Sequence, residues 1–182
     1  MSDVVLVTGV GPGTGKAIVE CFADKGYTVA MLARSEQRLE AIAEATPNAQ
    51  PFVCDVTDEA RLAAVLDEIR SKFGAPKIVI HNAVGAERGT YLEVDADKMR
   101  AAFEINTMAL LSLAKQLVPD MQAGGGGALI ATGNTSAYRG KARFAGFAPT
   151  KAAQSILLES IPRDAGPQGV HVAYVAIDAV ID

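Results

Sequence analysis

The sequence predicts an α/β protein with a doubly wound, mainly parallel sheet and helices on both of its faces. Three observations predict it. Six short apolar runs alternate with segments of helical period, no pair of runs has the period-2 pattern of a hairpin, and the first run ends in a glycine-rich turn that opens a helix. The 182 residues suit one domain, 1–182, with a sizeable core.

Asp3–Val7 (DVVLV) is nearly all apolar, which suits a strand buried on both faces. Thr8 ends it, and Gly9, Gly11, Gly13 and Gly15 follow within seven residues. Lys16–Lys25 then has apolar positions at Ala17, Ile18, Cys21 and Phe22, near the helical repeat. Strand, glycine turn and helix are the context of a phosphate or dinucleotide site. Glycine removes the side chains that would hold a pyrophosphate off the backbone, and the helix N-terminus offers unpaired N–H groups. Lys16 follows Gly15 without the Ser or Thr of a P-loop. A tight turn at the edge of an ordinary sheet is the plainer alternative.

Tyr27–Ala33 is a second buried strand, and it runs into Arg34-Ser35. In a dinucleotide fold this strand end reaches the adenosine ribose. An acidic residue there accepts from both hydroxyls and selects NAD, whereas Arg pairs with a 2′-phosphate. No Asp or Glu closes the strand, so NADP is expected, with NAD possible; Arg34 as a merely solvated strand cap is the alternative. Glu36–Ala45 is helical, Phe52–Cys54 is the third strand, and Asp55-Val56 lies at its carboxyl edge. Thr57 or Asp58 caps a helix running to about Lys72, with Leu62, Val65, Leu66 and Ile69 inward.

Lys77–Ile80 is the fourth strand and leads into His81-Asn82-Ala83-Val84-Gly85. His81 has no cysteine or carboxylate partner in the sequence and reads as structural. A long helix from Ala96 to about Met121 turns Phe103, Leu110, Leu111, Ala114 and Leu117 inward. Asn106 interrupts that stripe, and a buried amide must join a network or face a cleft. Ala128–Ala131 is the fifth strand, Thr132–Pro149 is loop, and an Ala-rich helix carrying Lys151 follows, in which Pro162 costs a hydrogen bond and bends the chain. Val170–Ile177 is the sixth strand, with His171 on its surface.

Composition narrows the partners. A net charge of −4 without a basic patch, no Trp and 5% aromatic residues argue against nucleic acid. The longest apolar stretches are strand-sized, so no membrane span is expected, and MSDVV lacks a signal-peptide pattern. Cys21 and Cys54 read as core residues of a protein in a reducing compartment, and the expected location is cytoplasmic.

Taken together, these residues resemble the short-chain dehydrogenase/reductase family, a Rossmann-type fold. Thr8-Gly9-Val10-Gly11-Pro12-Gly13-Thr14-Gly15 matches its TGxxxGxG loop, Arg34 the position marking NADP-preferring members, and Asp55-Val56 the adenine-contacting pair. Asn82-Ala83 resembles the start of NNAG, and Phe103-x-x-Asn106 the segment with the catalytic Asn. The resemblance implies cofactor contacts at Thr8, Gly9, Gly13, Thr14, Gly15, Arg34, Ser35, Asp55, Val56, Asn82, Ala83 and Lys151. It implies catalytic roles at Asn106, Asn134 and Lys151 and a small carbonyl or alcohol as substrate. It also implies a homodimer or homotetramer built on the Asn106 and Lys151 helices.

Departures fall on the chemistry. The family's YxxxK is Phe147-Ala148-Pro149-Thr150-Lys151 here, and Asn134 stands where the catalytic Ser is expected, with Thr132, Thr135 or Ser136 as alternatives under a small alignment slip. Phe147 has no proton to give, whereas Asn134 can donate to a developing alkoxide. His81-Asn82-Ala83-Val84-Gly85 carries one residue more than NNAG. Family members continue past the sixth strand with a substrate-binding segment and a last strand, so a truncated sequence is expected. The two functional expectations are an NADP-dependent oxidoreductase with an atypical site and a catalytically silent dinucleotide sensor or scaffold.

Overall fold

The computed structural model describes residues 3–179. Six strands form one wholly parallel sheet in the order β3-β2-β1-β4-β5-β6: β1 Val4–Thr8, β2 Thr28–Ala33, β3 Ala49–Val53, β4 Ile78–His81, β5 Gly127–Gly133 and β6 Val170–Ala176. After β3 the chain crosses back over β1 to build the other half. The carboxyl ends of β1 and β4, paired Val7 to Ile80 and Thr8 to His81, therefore border the crevice where the winding reverses.

Strand alternation divides the core between two faces. Val5, Val7, Val29 and Met31 pack under α1 (Thr14–Ala23) and α2 (Glu36–Ala45). Val4, Leu6, Ala30, Leu32 and Leu129 pack under α3 (Glu59–Phe73), α5 (Ala109–Ala123) and α6 (Ala148–Ala165). In α3 the buried residues are Leu62, Val65, Leu66 and Ile69, as the periodicity requires; Asp58 caps it through Arg61 N–H, and Gly74 at φ 96° closes it.

Elsewhere the helical phase differs from expectation. In α1 the inward stripe is Gly15, Val19 and Ala23, while Ala17 and Cys21 face outward. Cys21 is thus exposed and not a core residue; Cys54 alone is buried. The glycine at position 15 takes the inward place because the helix packs on the β1 turn, where a Cβ would meet the Gly9 carbonyl and Val10 Cα at 2.9 Å. The expected long helix is α4 (Ala96–Phe103), a π turn (Glu104–Met108) and α5. The wider turn resets the phase, so Ala109, Leu110, Leu113 and Leu117 are buried while Phe103 and Leu111 are only half-buried. The segment after β5 is not all loop: β5 reaches Gly133, a 3₁₀ turn spans Thr135–Ala137, and Gly89 pairs with Phe144. α6 continues three residues past Pro162.

Gly9 closes the junction between the sheet halves. It has φ 67°, and a Cβ there would lie 2.3 Å from the Ala83 backbone. Only glycine allows β1 and the segment after β4 to approach this closely.

Candidate functional site

One cleft of about 840 Å³ runs along the carboxyl ends of the strands. At its centre are the glycine turn and the head of α1. Gly13 supplies no side-chain cap, and no acidic residue occupies the first turn, so that helix end presents its positive pole to the cleft. A Cβ on Gly11 would meet nothing within 4 Å, so this backbone faces open space rather than protein. A bound pyrophosphate fits these features.

Toward one end the cleft is bordered by Arg34, Ser35, Asp55 and Val56. The Arg34 guanidinium is exposed and lies 4.0 Å from the Asp55 carboxylate, a surface pair that contributes little by itself and leaves Arg34 able to meet an anion. Ser35 caps α2 by accepting from Arg38 N–H at 3.4 Å, and Arg38 adds a second guanidinium to this end. Asp55 accepts from Thr57 N–H at 3.0 Å and Thr57 Oγ1 at 2.8 Å. Those bonds, above all the backbone one, lower its pKa and keep it a carboxylate.

Beside the glycine turn, Asn82 Nδ2 donates to the Gly9 carbonyl at 2.9 Å, and Asn82 Oδ1 accepts from Thr132 Oγ1 at 2.9 Å. Asn82 thereby ties the ends of β1, β4 and β5 together. Ala83 and the exposed Val84 line the cleft next to it. Gly85 lies tight against α4, where a Cβ would strike Ala102 Cα at 2.7 Å.

At the far end are Asn134, Phe147 and Lys151. Phe147 precedes Lys151 by four positions at the head of α6, so both point to the cleft; the ammonium lies 6.0 Å from the ring centroid. Lys151 is 2% exposed and donates to the Thr132 carbonyl at 3.3 Å and Gln154 Oε1 at 2.9 Å. Burial pulls its pKa down to about 8. Asn134 Oδ1 accepts from Ser136 N–H at 3.0 Å, and the Asn134 backbone is held by the Tyr174 hydroxyl. Tyr138 is exposed, packs edge-on against Tyr174 and does not border the cleft.

Two of the expected site residues lie beneath the cleft. Thr8 is fully buried, with Oγ1 2.9 Å from His81 Nδ1. Asn106, also fully buried, accepts from Gly85 N–H at 3.0 Å and donates to the Gly85 carbonyl and Thr150 Oγ1, both at 2.8 Å. Its side chain clamps the 82–85 segment to α6, with both amide N–H groups engaged and no surface on the cleft. Sequence reasoning missed Arg38 and Gln154. Arg38 follows Arg34 by four residues in the first turn of α2, and Gln154 stands one helical turn from Lys151 on α6; those spacings were the available signal.

His81 is a satisfied core histidine. Its Nε2–H donates to the Ile105 carbonyl at 3.0 Å, leaving Nδ1 to accept from Thr8. Burial, reinforced by the Lys151 charge, pulls its pKa down to about 4. The unfolded imidazole binds its proton nearer pH 6.5, so stability is expected to fall as pH drops from 6.5 through 4. The loss is on the order of 3 kcal/mol. Urea unfolding at stepped pH reads this directly, and His81→Gln should flatten the slope.

The comparisons agree with this geometry. A model described as short chain dehydrogenase matches residues 3–180. The 7alpha-hydroxysteroid dehydrogenase of Escherichia coli K12 is 28% identical over 180 residues, 97% of this chain and 70% of that protein. The 3-oxoacyl-[acyl-carrier-protein] reductase FabG of the same strain is 29% identical over 174 residues, 95% of this chain and 71% of its own length. A short-chain dehydrogenase crystal structure from Streptomyces avermitilis superposes with a TM-score of 0.92 at 29% identity, covering 96% of this chain and 65% of that one. The chain thus spans about two thirds of the length of such relatives. Among the described residues no helix is long and apolar enough to cross a membrane. With the parallel sheet, the glycine turn at its switch point and a family match over nearly every residue, this chain belongs to the short-chain dehydrogenase family.

Proposed function

We propose that this protein is an NADP(H)-preferring oxidoreductase that moves hydride between the nicotinamide and a small carbonyl or alcohol substrate. The observation that carries the reading is the continuous cleft from the Arg34–Arg38 end, past the glycine turn, to Lys151. In this reading Gly9, Gly13, Thr14 and Gly15 hold the pyrophosphate, and Arg34 and Ser35 receive the 2′-phosphate. Asp55 and Val56 border the adenine, Asn82 and Ala83 border the nicotinamide half, and Lys151 holds its ribose. Thr8 and Asn106 act from beneath as positioning residues. When bound, the cofactor supplies the hydride chemistry.

Phe147 stands in the place of the family's acidic tyrosine, so a proton for the substrate oxygen must come from Lys151 or water, with Asn134 as hydrogen-bond donor. Titration of NADPH, with NADH in parallel, followed by nicotinamide fluorescence, is expected to saturate with NADPH clearly preferred. No binding by well-folded protein removes the oxidoreductase reading.

A second reading, a catalytically silent dinucleotide sensor or scaffold, is motivated by Phe147 and Asn134. Phe147→Tyr separates the two when assayed against a panel of ketones and aldehydes. Turnover by the native chain supports the enzyme, whereas turnover only in Phe147→Tyr supports the silent protein. Self-association through α5 and α6 belongs to the same proposal. Met108, at the head of α5, and Ile156, on α6, are exposed, and a monomeric mass by light scattering would remove that part.

A further inference from the structure

We propose that Gln154 is a positioning residue of this site, whose carboxamide fixes the Lys151 ammonium and fills the space between it and the Asn106 carbonyl. Gln154 lies on α6 three residues after Lys151 and is fully buried. Both ends of its amide are engaged: Oε1 accepts from Lys151 Nζ at 2.9 Å, and Nε2 donates to the Asn106 carbonyl at 2.8 Å. That carbonyl belongs to the π turn Glu104–Met108, so the bridge couples the one irregular turn of the long helix to the buried cation.

The choice of an amide has consequences a carboxylate or a water would not have. A carboxamide accepts from the ammonium without neutralising it, so the Lys151 charge stays available to whatever occupies the cleft. It also passes no proton along, because relay through an amide requires its imidic acid form. With Thr132 and Gln154 taking two of the three N–H groups, the third is left for the cleft, and proton exchange at Nζ runs through the cleft side.

The groups facing Nζ from the packed elements are few. β5 presents the Thr132 carbonyl, and the head of α6 presents the Phe147 ring. β4 presents His81, whose imidazole is neutral above about pH 4 and feels the Lys151 charge. Tyr174 of β6 is engaged with the Asn134 backbone. Among the described residues no carboxylate forms an ion pair with Lys151; burial lowers its pKa, and a charge placed at residue 154 would act on it directly.

The inference rests on the proposed role of Lys151, yet its test needs no cofactor. The full chain labelled with ¹³Cε-lysine and ¹⁵N is titrated by NMR, with Lys151→Met assigning the resonance. In the native protein the Gln154 side-chain amide signal is expected to move with the same midpoint as Lys151. Gln154→Glu should raise the Lys151 midpoint by about 1–3 pH units, and Gln154→Met should lower it. A native Gln154 amide signal that ignores the Lys151 titration overturns the proposal, even where a variant fails to fold. Folded variants that leave the midpoint unchanged also overturn it. NADPH titration of the native chain tests the function separately: coupled titration without NADPH binding keeps the positioning role and removes the oxidoreductase.

Discussion

Asn106→Leu is expected to be the most destabilising single change at this site. The side chain meets three partners: the Gly85 N–H, the Gly85 carbonyl and Thr150 Oγ1. Leucine has the same branched shape, though larger, and leaves both Gly85 backbone groups buried without a partner. Each such group costs about 1–3 kcal/mol, so a loss of roughly 2–6 kcal/mol follows. Water cannot easily repair the defect, because Gly85 packs directly on Ala102 of α4. Equilibrium urea unfolding measures it through the midpoint at constant slope. A loss under about 1 kcal/mol would mean that the 82–85 segment relaxes freely and that the clamp is dispensable. Asn106→Asp makes a sharper control. It keeps the acceptor for Gly85 N–H but sets a carboxylate against the Gly85 carbonyl, so its stability should improve as pH falls and the carboxyl takes a proton.

The second large effect is on cofactor choice. Arg34→Glu is expected to weaken NADPH binding by roughly 10–100-fold, the equivalent of about 1.5–3 kcal/mol for one charged hydrogen bond. NADH affinity should hold or improve, because a carboxylate at this strand end can accept from both ribose hydroxyls. Arg34 is exposed and only loosely paired with Asp55, so the substitution should leave unfolding nearly unchanged and any change in affinity belongs to the ligand. Arg38 sits on the same end of the cleft, and Arg34→Glu/Arg38→Ala should extend the loss. Gly13→Asp tests the middle of the cofactor, placing a negative charge at the head of α1 where the pyrophosphate is assigned. Undiminished NADPH affinity in both Arg34→Glu and Gly13→Asp would falsify the cofactor site.

Much of this was legible in the sequence because it depends on local chemistry. The apolar strands, the glycine turn after Thr8, the absence of an acid at the end of β2 and the cap at Asp58 each act over a few residues. Their spacing alone determined a doubly wound fold with a ligand crevice at its strand ends. Lys151 and Phe147 likewise fell on one helical face by count.

Phase and partnership were decided only by the tertiary structure. A π turn shifts the inward stripe of the long helix away from the simple period, and Asn106 and Thr107 within it bond to Thr150 and Gln154 of α6, partners distant in sequence. Cys21 looked apolar enough for the core, but α1 docks through Gly15, whose missing side chain matters only against Gly9 and Val10. Asn106 and His81 had the residue types of catalytic groups; burial turned one into a clamp on Gly85 and the other into a neutral bridge between Thr8 and Ile105. Gln154 had only its place one turn after Lys151 to mark it in an Ala-rich helix. Its meaning comes from lying between Lys151 and the Asn106 carbonyl, a contact across 48 residues of chain that only folding brings together.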